Sequence, residues 1–137
     1  MLTQQHLDSF TYKIIGCAIE VHKELGPGLL ESIYEKCFVE ELINKKLTYI
    51  QQLCVPVEYK GKKLDAELRL DVLVEDMIIV ELKAVDFMHP VFDAQLLSYM
   101  KLLKKPKGVL INFNCTNIFK EGQKTMVNEL YAQLPKQ

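Results

Sequence analysis

Apolar residues recur at helical spacing through the first third of the chain. Between Asp8 and Leu25 they fall at Phe10, Ile14, Ile15, Ala18, Ile19, Val21 and Leu25, a broad stripe that one face of a helix would bury. Asp8 or Ser9 supplies a cap, and Gly26-Pro27-Gly28 supplies a stop. A second helix is predicted over about 29–45, with Leu30, Ile33, Tyr34, Cys37, Phe38, Leu42 and Ile43 turned inward. The period then changes to two. The stretch CVPVEYKGKKLDAELRLDVLVEDMIIVELKAV alternates and carries turn signals at Lys60-Gly61 and Glu75-Asp76, which predicts strands near 53–59, 63–73 and 77–84. A third helix is predicted over 91–104 around Phe92, Leu96, Leu97, Met100 and Leu103. GVLINF at 108–113 reads as a buried strand, and a last helix is expected between Lys120 and Leu134. The order ααβββαβ(α) is that of a mixed α/β domain, a single one over residues 1–137.

Composition narrows the class without naming a function. The apolar fraction of 49% and charged fraction of 26% are those of a globular domain. No apolar run approaches the ~20 residues of a membrane span. MLTQQHLDSF lacks the basic start and apolar stretch of a signal peptide, so no membrane partner is expected and a cytoplasmic location is the default. The four cysteines, at 17, 37, 54 and 115, have no CxxC spacing and read as structural thiols rather than a zinc site. A net charge of -1 leaves no global footprint for nucleic acid. Two local basic clusters, Lys60/Lys62/Lys63 and Lys101/Lys104/Lys105/Lys107, read as solvated surfaces.

One pattern asks for chemistry. The apolar run MIIV at 77–80 ends in Glu81 and Lys83, two charges that alternate onto one face of a strand. Charges at the end of a core strand are costly unless paired, solvated or used. A three-residue loop at Glu75-Asp76-Met77 would set Val74 against Ile78 and Asp71 against Glu81, with Lys83 on the same face. A two-residue loop would send the two acids to opposite faces, and the residues alone leave both registers open. In the first register the acids repel unless something positive lies between them. Lys83 is one such charge; a divalent cation, held by carboxylates, waters and phosphate oxygens, is another. Such an ion lowers the pKa of bound water, and a lysine beside it can orient that water or offset developing charge. Glu31, in the first turn of the second helix, complements the helix dipole at the least. Gln95 and Tyr99 are four apart on the third helix and share a face, with Gln95 expected as a buried amide near the sheet. Read in isolation, Asp71 and Glu81-x-Lys83 also fit a salt-bridged strand end.

The order of a helical acid, Asp71, Glu81-x-Lys83 and Gln95-x-x-x-Tyr99 resembles the PD-(D/E)XK nuclease superfamily, in the branch related to the nuclease domains of bacterial recombination exonucleases. More narrowly, the chain resembles the small family named for a GxxExxY motif, here Gly28-Leu29-Leu30-Glu31-Ser32-Ile33-Tyr34. Further family-like stretches are EVHKELGPGLLESIYE, VEYKGKK, LDVLVEDMIIVELKAV, AQLLSYMKLL and GVLINF, so the resemblance runs from about residue 12 to 127. It implies an αβββαβ core with a central mixed sheet flanked by helices. It implies Asp71, Glu81 and Glu31 around a Mg²⁺ or Mn²⁺ ion, Lys83 as the catalytic lysine, and Gln95 and Tyr99 bordering the site. Leu70 stands where the superfamily name has proline. Lys124 stands alone in EGQKTMV, where family members carry a basic pair.

Two classes of function follow. One is a nuclease that hydrolyses DNA or RNA with a metal-activated water; for a domain this small, a second copy or a partner protein is expected to complete the groove. The other is a non-catalytic module that keeps the fold and binds nucleic acid or protein.

Overall fold

A computed structural model of the chain describes all 137 residues. Helix α1 (Gln4–Leu25) and helix α2 (Glu31–Asn44) precede three strands, β1 (Tyr49–Tyr59), β2 (Lys62–Val74) and β3 (Ile78–Lys83). Helix α3 (Pro90–Leu103) crosses to β4 (Lys107–Asn112). A π-helical turn (Ile118–Gly122), β5 (Gln123–Val127) and the short α4 (Glu129–Ala132) complete the chain. The sheet runs β1-β2-β3-β4-β5, with β3 and β4 parallel and every other neighbouring pair antiparallel. No helix is long and apolar enough to cross a membrane.

The mixed α/β class and the order through β4 are as expected; the tail is not. Residues 123–127 form a strand because β4 would otherwise be an open edge of unpaired backbone groups. Gly108 pairs with Met126 there, and Met126 packs into the core. The cap of α1 also differs: Thr3 accepts from the His6 N–H, and Asp8 lies one turn inside the helix. Asp8 instead takes the Nζ of Lys107 at 2.7 Å and the Tyr131 hydroxyl at 2.8 Å. Lys107 is therefore no part of a solvated basic cluster; its side chain is 5% exposed.

The sheet is covered on both faces. Val72, Val74, Ile78, Val80, Leu82, Val109 and Ile111 meet α1 and α2 through Ile14, Cys17, Ala18, Tyr34, Phe38 and Leu42. On the other face, Leu73, Ile79 and Leu110 meet Leu96 and Met100 of α3. The helical stripes are narrower than the sequence suggests. Leu30, Ile33 and Ile43 of the α2 segment and Leu97 of α3 stand exposed, because each helix contacts the sheet along one side only.

α3 lies so close to β4 that a Cβ on Gly108 would sit 2.8 Å from Leu96 Cδ1 and from Met100 Sδ. Gly108→Ala is therefore expected to cost about 1–3 kcal/mol by overpacking, read as a lower urea midpoint at unchanged slope.

Candidate active site

The β2–β3 turn closes with three residues, Glu75, Asp76 and Met77, and Val74 pairs with Ile78. That choice fixes the register, because one residue more or less would flip every side chain of β3. It is held from outside the hairpin. Glu75 and Asp76 both take positive φ, 52° and 56°, while the Glu75 N–H donates to the Thr48 carbonyl at 2.9 Å. The Glu75 carboxylate in turn accepts from the Thr48 N–H at 2.6 Å.

Past Val72 and Val80 the ladder between β2 and β3 ends. Leu82 N–H donates instead to Asp71 Oδ2, at 2.8 Å. The strands fork here, and an acidic side chain replaces a backbone acceptor. Asp71 and Glu81 meet in the fork. Glu81 is only 5% exposed, and its Oε1 has no hydrogen-bond partner, the one buried side-chain polar atom left so. Burial first, then the neighbouring Asp71 carboxylate, push the Glu81 carboxyl up to about 9, against the opposing pull of Lys83. At neutral pH a lone Glu81 therefore holds its proton.

Lys83 lies on the same side as these acids, toward α3, with Nζ 4.4 Å from the centre of the Phe92 ring. Its strand end is fixed by β4. Phe113 N–H donates to the Lys83 carbonyl at 2.9 Å, and buried Asn112 stands beside Lys83 in register. Asn112 Oδ1 accepts from Val85 N–H at 3.1 Å and its Nδ2 donates to the Val85 carbonyl at 3.0 Å, anchoring the segment after Lys83. The role of Asn112 was not read from the sequence; its one signal is an amide ending the apolar run GVLI.

Tyr99 of α3 borders the same pair. Its phenol is raised, first by burial and then by the charges of Glu81 and Asp71. Gln95, one turn earlier, is exposed, so the expected buried amide is corrected. The buried side of α3 runs through Leu96 and Met100, and Gln95 stands one residue before that line. An exposed amide in that position is open to a ligand.

Glu31 reaches the site from the other layer. It opens α2, and the loop before it is pinned by Tyr34, whose hydroxyl donates to the Gly26 carbonyl at 2.5 Å and accepts from Leu29 N–H at 3.2 Å. The Tyr34 ring stacks on Phe113 with centroids 4.5 Å apart. Gly26 and Gly28 take positive φ, 67° and 99°, which side chains with a Cβ rarely adopt. The tyrosine of Gly28–Tyr34 thus holds the loop that presents the glutamate. The Glu31 side chain stays largely in solvent, yet its carboxyl is raised by partial burial, with Lys83 opposing and Asp71 and Glu35 adding. Glu31 is thus within electrostatic reach of Asp71 and Lys83. No three His, Cys, Asp or Glu side chains converge closely enough to hold an ion together, so Asp71 and Glu81 form a pair with Glu31 beside it.

A buried carboxylate oxygen without a partner, a second carboxylate against it and a lysine alongside suit a hard divalent cation, whose preferred ligands are oxygens. Among known families, a model of the PD-(D/E)XK nuclease superfamily matches residues 8–126. No curated protein and no solved structure matches the chain.

Proposed function

The chain belongs to the PD-(D/E)XK nuclease superfamily, and from that premise we propose that it is a metal-dependent nuclease with Asp71, Glu81 and Lys83 at its centre. The observation that carries the proposal is Glu81: buried, with an orphaned oxygen, next to Asp71 and on one face with Lys83. A protein gains nothing in stability from that arrangement, since an acid forced to keep its proton in a dry fork weakens the metal-free fold as pH rises above the ordinary carboxyl range. Nucleases of this superfamily generally use divalent metals, and the donor set here fits Mg²⁺ or Mn²⁺. Such an ion would supply an activated water and a counter-charge at the scissile phosphate.

The chain's own residues divide the remaining work. Asp71 and Glu81 are the residues that would hold the ion, and Glu81 would have to be deprotonated to do so. Lys83, held over Phe92, orients the attacking water and offsets charge developing on the phosphate. Glu31, at the solvent side, would add negative charge beside the metal site. Tyr99 closes the apolar side of the site, and the exposed amide of Gln95 contacts the substrate. Gly28–Tyr34 supports the narrower GxxExxY branch. The substrate is DNA or RNA, and a second copy or a partner protein extends the short groove.

The test is to incubate single- and double-stranded DNA and RNA with the protein and Mn²⁺. Cleavage that stops on chelation is the expected result. If the folded protein cuts none of the four, and excess Mn²⁺ leaves its melting temperature unchanged, the nuclease assignment is wrong and a binding module remains.

A further inference from the structure

Successive side chains of a strand point to opposite faces. Gln51 and Gln52 of β1 break that rule, since both reach one carboxylate. Gln51 Nε2 donates to Glu35 Oε2 at 2.9 Å, and Gln52 Nε2 lies 2.9 Å from Oε1 and 3.1 Å from Oε2 of the same residue. The backbone makes this geometry by a left-handed residue: Gln52 has φ 48°. A side chain with a Cβ disfavours that conformation, so something must hold it.

The position of this irregularity is informative. Gln51 pairs with Val72 and Leu53 with Leu70, so Gln52 stands across from Asp71, and that pair is missing from the ladder. On its other side, too, Asp71 has left the ladder and gives its side chain to Leu82 N–H. Asp71 thus sits at a break in pairing on both flanks, and its placement depends on what fixes β1 beside it. Glu35 lies one helical turn after Glu31 on α2, so the two share a face.

We propose that Glu35 is a positioning residue for the acid pair: by clamping Gln51 and Gln52 it locks the bend of β1 that sets Asp71 against β3, and it ties Glu31's helix to that strand. The catalytic half of this inference rests on the nuclease reading; the geometric half does not. Glu35 touches neither acid and acts through β1.

The experiment follows amide exchange by NMR in metal-free wild type, Glu35→Ala and Glu35→Gln, with the β4 amides of Val109 and Ile111 as references. In Glu35→Ala the Leu82 amide, whose acceptor is Asp71, is expected to exchange about tenfold faster relative to the references. Glu35→Gln keeps an acceptor and is expected to fall between. Cleavage with Mn²⁺ should then show kcat lowered in the same order, with KM unchanged. If Leu82 speeds up only in step with Val109 and Ile111, the clamp is general stabilisation and the proposal fails. Should Glu35→Ala not fold, Glu35→Gln and Gln52→Ala carry the same comparison. Should the wild type not cleave, the nuclease reading falls and the Leu82 amide still decides the clamp.

Discussion

Lys83→Ala is expected to lower the rate of phosphodiester cleavage by about 10² to 10³ while leaving a divalent ion bound. The ammonium is the group that faces water and developing charge, whereas the oxygens that would hold the ion belong to Asp71 and Glu81. Removing Lys83 takes away a like charge that competes with the cation. It also takes away a charge that pulls the Glu81 carboxyl down, so the two effects on metal affinity oppose. The contact with Phe92 is lost as well, worth roughly 0.5–1 kcal/mol at a partly exposed site, so melting should fall only slightly. Asp71→Ala, in contrast, should lose both metal binding and cleavage. Calorimetric titration with Mn²⁺ beside single-turnover cleavage separates these outcomes. A Lys83→Ala protein that cuts at the wild-type rate would make Lys83 a structural cation.

Glu81→Gln is expected to act in opposite directions on stability and function. The Glu81 carboxyl stands near 9 in the folded chain, against 4.5 as its ordinary value. An acid raised by folding contributes its full stability below its unfolded value and loses it as pH climbs toward the folded one. The metal-free protein should therefore weaken from about pH 4.5 to about pH 9, by on the order of 3 kcal/mol at pH 7. Gln has no proton to lose, so the variant should be more stable than wild type at pH 7 to 9, with a flatter profile in urea melts. It should also lose metal binding and cleavage. In the wild type, metal displaces the Glu81 proton, so binding at pH 7 should release about one proton and tighten with rising pH. Titrations in two buffers of different ionisation enthalpy measure that proton. A wild-type melt that stays flat from pH 5 to 9 would refute the buried acid.

The strands of the meander, the three long helices and the run Glu81-Leu82-Lys83 were legible because each rests on local patterning. Period-two alternation, the Lys60-Gly61 turn and the Gly-Pro-Gly stop are written in consecutive residues, and the fold agrees with them. Glu31, Asp71, Glu81, Lys83 and Tyr99 could be picked out for the same reason, as polar groups at places where the pattern predicts burial or a helix start. Gln95 was misplaced because helical spacing gives a face but not its edges. Which flank of α3 meets the sheet is set by Leu96 and Met100 against β4, across a contact made close by Gly108.

By itself the sequence determined the class of fold, the order of elements through β4 and the residues with chemistry to offer, since those depend on neighbours along the chain. Only tertiary structure decided the rest. The three-residue turn, and with it the shared face of Asp71 and Glu81, is fixed by Thr48, which lies outside the hairpin. The tail became β5 because β4 needed an edge partner. The orphaned oxygen of Glu81, and the proton it holds, exist because the fork buries Glu81 and sets Asp71 against it. Burial acts through space, and no window of consecutive residues contains it.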